Sequence, residues 1–175
     1  MPGEVDHVAK RRRIVPDASV ILPAFFNERI AHKGASFDLT RVAKPIADAI
    51  RLQNVEAFAP EVLLPEFMAA AYRKCSLRNG RREIEPELVE RQLFDFLHSL
   101  PIVFVPSKQL AENAWRLTRD QGVPPPDSWY VACAISHDAE LWISHTHKDR
   151  FPEQALKAWR RVYLLTDSPF GKVTD

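Results

Sequence analysis

Cysteine is scarce in this chain, and the two present, Cys75 and Cys133, are far apart in sequence. They have neither the spacing of metal ligands nor the partners for a disulfide framework, so they read as buried or half-buried thiols of a reducing cytosol. Long apolar runs are missing too. The longest, from Ala18 to Phe26, is broken by Pro23 and is too short to cross a bilayer. No secretory apolar region follows the start. These absences predict a soluble, cytoplasmic protein with no membrane association. An excess of charge is also lacking: Lys plus Arg total 24 against 23 Asp plus Glu, for a net charge of +1. Overall charge therefore does not announce nucleic-acid binding, and local clustering has to carry that question. Without Gly-x-x-x-x-Gly-Lys-Ser/Thr or Gly-x-Gly-x-x-Gly there is no phosphate-cradling loop of those kinds. Without Gly-x-Ser-x-Gly there is no nucleophile elbow. His145 and His147 do not combine with the cysteines into the four nitrogen or sulfur ligands of a structural zinc site.

What the chain does have is acid where strands hand over to helices. Asp17 closes the short apolar segment Ile14-Val15-Pro16, Glu66 follows Val62-Leu63-Leu64-Pro65, and Asp127 follows Pro124-Pro125-Pro126. Acids from three distant segments can meet at one edge of a sheet. Hard divalent ions such as Mg²⁺ and Mn²⁺ take carboxylate oxygens and keep several waters, so such a cluster suits phosphodiester chemistry. Each acid also has a plainer reading. Asp17 and Asp127 can serve as helix N-caps, and Glu66 can be a solvated residue favoured near a positive helix end.

The three segments also carry a resemblance. Asp17-Ala18-Ser19, Pro60-Glu61 with Glu66, and Asp127 with Tyr130-Val131-Ala132 and Ala134 resemble, in order and interval, the PIN-domain nucleases. They are most similar to the single-domain VapC-type toxin ribonucleases, and the likeness runs from Ile14 to Leu164. It implies a metal-dependent endoribonuclease using Mg²⁺ or Mn²⁺, with four acids lining a pocket at the carboxyl edge of a parallel sheet. It further implies an RNA substrate, a homodimer and a cognate antitoxin. Ser19 is expected to donate a hydrogen bond to a site carboxylate or a metal-bound water. Two departures stand out. Where the family has Thr-x-Asp after the following strand, this chain reads Ser144-His145-Thr146-His147-Lys148-Asp149, so Asp149 is taken as the fourth acid, with His145 or His147 as the other possibilities. Ala69 stands where many members have Asn. The rival reading is a PIN-like RNA- or protein-binding module with weakened catalysis.

One domain is expected, since 175 residues with 46% hydrophobic content can fill a substantial core. Residues 1–13 read as a flexible basic tail and 14–175 as the domain. Strands are expected at Ile14–Val15, Glu56–Ala59, Ile102–Val105, Glu140–Ile143 and Val162–Leu165. Between them lie helical patterns, including one opened by Pro60 and one near Gln154–Trp159. This alternation predicts an α/β three-layer fold with a central, mostly parallel sheet flanked by helices. Ile102–Val105 is expected to be buried on both faces, and Ser107 to cap the helix that Gly122 ends. The four tryptophans are read as core, except that Trp129, with Tyr130, lies next to Asp127 and is a candidate surface for stacking RNA bases. Arg73, Lys74, Arg78, Arg81 and Arg82 surround Asn79-Gly80 with no acid among them. They are either a solvated loop or an RNA-facing one, since phosphate contact is the usual reason to cluster arginine.

Overall fold

Alternating short apolar segments and amphipathic helices resolve into one parallel sheet with helices packed on it. The computed structural model describes residues 11–26, 29–32, 35–75, 86–144 and 159–165. The chain runs β1 (Arg12–Pro16), α1 (Ala18–Phe25), β2 (Arg29–His32), β3 (Ala35–Asp38), α2 (Leu39–Arg51), β4 (Val55–Pro60), α3 (Leu63–Cys75), α4 (Pro86–His98), β5 (Ile102–Val105), α5 (Ser107–Gln121), α6 (Pro125–Ser136), β6 (Glu140–Ile143) and β7 (Val162–Leu164). The sheet order is β5-β4-β1-β6-β7 with every pairing parallel. The α/β expectation holds. β2 and β3 form a separate antiparallel hairpin that the sequence did not suggest.

From β1 the chain builds outward through β4 to β5, then crosses back to place β6 and β7 on the other side. The reversal falls between β1 and β6. In open parallel sheets the carboxyl ends of the strands at such a switch point form a crevice, because the flanking connections diverge there. β1 and β6, which flank this point, are enclosed there: Ile14 and Val15 are fully buried, as are Leu141 and Trp142 beside them in β6.

β1 begins at Arg12, ahead of Ile14 where the tail was expected to end, because its first residues are paired. Arg12 Nε donates to Glu140 Oε2 at 2.7 Å, and Arg13 Nε donates to Glu56 Oε2 at 3.0 Å. The Arg12 guanidinium also lies 5.3 Å from the centre of the Trp142 ring, which stacks on Tyr163. Residues 1–10 and the helical pattern near Gln154 fall outside the described residues.

Five local expectations are corrected. Pro60 ends β4 instead of opening a helix. Pro65, expected to kink the helix or loosen its attachment, falls in the first turn of α3, where backbone N–H groups have no intrahelical partner to lose. Ser107 is the first residue of α5, and the position before it, Pro106, has no side chain to cap with. Glu61 reaches across instead, its Oε2 accepting from the Ser107 N–H at 2.8 Å. Finally, β5 is an edge strand, and Val103 is 57% exposed. Trp115 departs from its expected core position as well, at 62% exposed on α5, whereas Trp142 is fully buried. Gly122 ends α5 as expected, at φ 70° in the left-handed region that favours glycine.

Candidate active site

Asp17 is placed by the sheet. Its backbone N–H continues the β1–β6 ladder by donating to the Trp142 carbonyl at 3.0 Å, and the next residue starts α1. The side chain therefore stands at the switch point, 4% exposed. Its N-cap role is real: Oδ1 accepts from the Ser19 N–H at 3.3 Å. Ser19 Oγ also donates to Asp17 Oδ2 at 3.0 Å and accepts from the Ser144 N–H at 3.1 Å. The expected bond from Ser19 to a site carboxylate is thus present, and it ties Asp17 to the first residue after β6.

Glu66 lies in the first turn of α3, after the β4 strand that neighbours β1. Asp127 lies in the first turn of α6, whose N-cap position is Pro124, so Asp127 is not the cap. A short connection joins the end of α6 to the start of β6, so the first turn of α6 sits toward the other, carboxyl edge. Chain topology alone therefore brings the three acids to one side of the sheet. They line a single cleft of about 440 Å³ with Ser19, Leu22, Ala69, Arg73 and Pro126 among its other walls.

Tyr130 has a larger part than its place in the sequence suggests. Expected at most as a base-stacking surface beside Asp127, it is 2% exposed and its hydroxyl donates to Glu66 Oε2 at 2.6 Å. Burial, followed by the charges of Asp17 and then Glu66, pushes the phenol well above its ordinary value of 10.0, against the lowering effect of a backbone bond from Ala18. Tyr130 is thus a fixed proton donor at any physiological pH. Its spacing from Asp127, one helical turn, was the available signal.

The donor set suits a hard cation: three carboxylates, a nearby hydroxyl and no sulfur or nitrogen ligand among the cleft walls. Among the described residues no three His, Cys, Asp or Glu side chains are drawn together tightly enough to hold an ion as they stand. Like charges in one cleft disfavour one another's approach until a cation offsets them. Asp149, His145 and His147 lie outside the described residues, in the segment that follows Ser144. Of the basic group, Arg73 is exposed and lines the cleft, and Lys74 continues α3; Arg78, Arg81 and Arg82 lie outside the described residues. Among the described residues no helix is long and apolar enough to cross a membrane.

Three carboxylates thus line one cleft at the switch point of a parallel α/β sheet. The chain belongs to the PIN-domain family, whose model matches residues 14–155. That family comprises nucleases that generally use divalent ions. Among solved structures, PAE2754 from Pyrobaculum aerophilum superposes with a TM-score of 0.56 at 16% identity, covering 89% of this chain and 85% of that one. A toxin-antitoxin complex from Klebsiella pneumoniae gives a TM-score of 0.55 at 16% identity, covering 87% of this chain and 97% of that one. VapBC-1 from nontypeable Haemophilus influenzae gives 0.52 at 16% identity, covering 88% and 98%. These likenesses establish the fold. No curated protein sequence matches the chain significantly.

Proposed function

We propose that this protein is a Mg²⁺- or Mn²⁺-dependent endoribonuclease and the toxin of a toxin-antitoxin pair. The observation that carries the reading is the single cleft at the carboxyl edge of the sheet, lined by Asp17, Glu66 and Asp127. Asp17 is held by Ser19 and Glu66 by Tyr130, so neither carboxylate has to be fully ordered when an ion arrives. When bound, a divalent ion supplies a lowered pKa for a coordinated water and offsets charge on the phosphate. Arg73 lines the cleft wall, and its planar donor fork meets a non-bridging phosphate oxygen in this reading. Lys74, Arg78, Arg81 and Arg82 extend that phosphate contact along the RNA backbone. Asp149 supplies the fourth carboxylate from the segment after Ser144, ahead of His145 or His147. Single-domain, cytoplasmic, homodimeric action against RNA, held in check by an antitoxin as in the complexes of similar fold, completes the reading.

One observation favours the rival, a PIN-like RNA- or protein-binding module with weakened catalysis. Ala69, which replaces a polar residue common in the family, lies in the cleft wall and offers no hydrogen bond there. Asp127→Asn separates the two readings, because it removes one charge and leaves the shape of the cleft. The nuclease reading expects RNA cleavage to collapse and RNA binding to persist. RNA binding with no cleavage by either protein supports the module.

A further inference from the structure

We propose that Tyr130 is a positioning residue that aims Glu66 into the cleft by holding one of its carboxylate oxygens. The inference rests on the nuclease reading and adds a residue to it. Tyr130 stands one turn beyond Asp127 on the same face of α6, and its ring is buried at 2% exposure, so the position of its hydroxyl is set by packing. That hydroxyl donates to Glu66 Oε2 on α3 at 2.6 Å. The phenol therefore ties the helix that carries Asp127 to the helix that carries Glu66.

The chemistry gives this bond a purpose. A glutamate has three rotatable side-chain bonds and loses considerable freedom when fixed. In a cleft shared with two other carboxylates, repulsion would turn Glu66 outward before an ion arrives. A charge-assisted O–H donor on Oε2 opposes both effects, and at 2.6 Å it lies in the short range for such bonds. Outer partners of metal-binding carboxylates typically contribute roughly 10- to 100-fold to affinity.

Calorimetric titration with Mn²⁺ alone tests the idea on four forms of the full chain: wild type, Tyr130→Phe, Glu66→Ala and the double variant, each also melted in its ion-free form. Tyr130→Phe keeps the buried ring and should melt close to wild type, while Mn²⁺ affinity falls roughly 10-fold or more. In the Glu66→Ala background the same change should have no further effect on affinity, because the phenol acts through that carboxylate. Two results would overturn the inference alone: unchanged affinity in Tyr130→Phe, or an equal loss with and without Glu66, which would make the residue merely structural. Absence of Mn²⁺ binding by the wild type would overturn the inference and the nuclease reading together.

Discussion

Asp17 does two jobs, and substitution can separate them. As an N-cap it accepts the Ser19 N–H at 3.3 Å, a long bond, and it also accepts the Ser19 hydroxyl at 3.0 Å. Loss of a capping side chain costs about 1 kcal/mol. Ser19 Oγ keeps the Ser144 N–H as a donor, so Asp17→Ala leaves that hydroxyl engaged and the total should stay near the cap cost. For a chain of this size that is a fall of about 2–4 °C in melting temperature. Asp17→Asn retains an acceptor oxygen for the cap and removes one negative charge from a cleft that also holds Glu66 and Asp127. Its ion-free stability should therefore match wild type within about 0.5 kcal/mol. Its activity should not. Loss of an outer partner already costs roughly 10- to 100-fold, so loss of a ligand charge should reduce RNA cleavage by more than about 100-fold. Urea denaturation with EDTA present reads the first effect, and cleavage of a labelled RNA with Mn²⁺ reads the second. If Asn destabilised the fold as much as Ala, or cleaved at the wild-type rate, the separation of cap from ligand would be wrong.

Arg73→Gln should weaken RNA binding and lower the slope of log affinity against log salt by roughly one, since one phosphate contact releases about one counterion; an unchanged slope in filter binding would return Arg73 to the solvent. Glu140→Ala should destabilise the protein by about 1–3 kcal/mol, because it removes the buried carboxylate that accepts from Arg12 and from Trp142 Nε1 and ties β1 to β6; denaturation showing less than about 1 kcal/mol would mean the pair is worth no more than a surface one. Burial pushes the Cys133 thiol up to about 12 from 9.0. In the native state it should resist iodoacetamide at pH 8, while the unfolded chain reacts, as peptide mapping would report. Between pH 9 and 12 the native thiol keeps a proton that the unfolded chain releases, so its contribution to stability is full below this window and is lost as pH rises through it. A Cys133→Ala variant with the same alkaline stability profile would argue against that linkage.

The parts of the fold written in local pattern were legible. Leu110, Ala114 and Leu117 repeat on one face of α5 and are buried, and Gly122 ends the helix because its left-handed backbone favours glycine. Asp17, Glu66 and Asp127 could be singled out because each follows an apolar or proline-rich segment, and chain topology does the rest. What failed was whatever depends on neighbours. A run such as Ile-Val-Phe-Val reads as a fully buried strand, yet only the sheet order shows β5 at an edge with Val103 exposed. The cap of α5 comes from Glu61, which is distant in sequence, so a hydroxyl at Ser107 was a misleading cue. Tyr130 looked like a core or stacking aromatic until its partner on α3 was known. Arg12 and Arg13 looked like the end of a solvated basic leader because their partners, Glu140 and Glu56, lie on other strands.

The central claim is that the acids at the carboxyl edge of this sheet work through a divalent ion on RNA. Its most direct measurement is cleavage of a defined single-stranded RNA by protein stripped with EDTA, followed as Mn²⁺ is added back, with Asp127→Asn in parallel. The account predicts no cleavage in EDTA, saturable recovery with added Mn²⁺, and little recovery in the variant. Cleavage that persists without the ion, or recovers equally in Asp127→Asn, would contradict it.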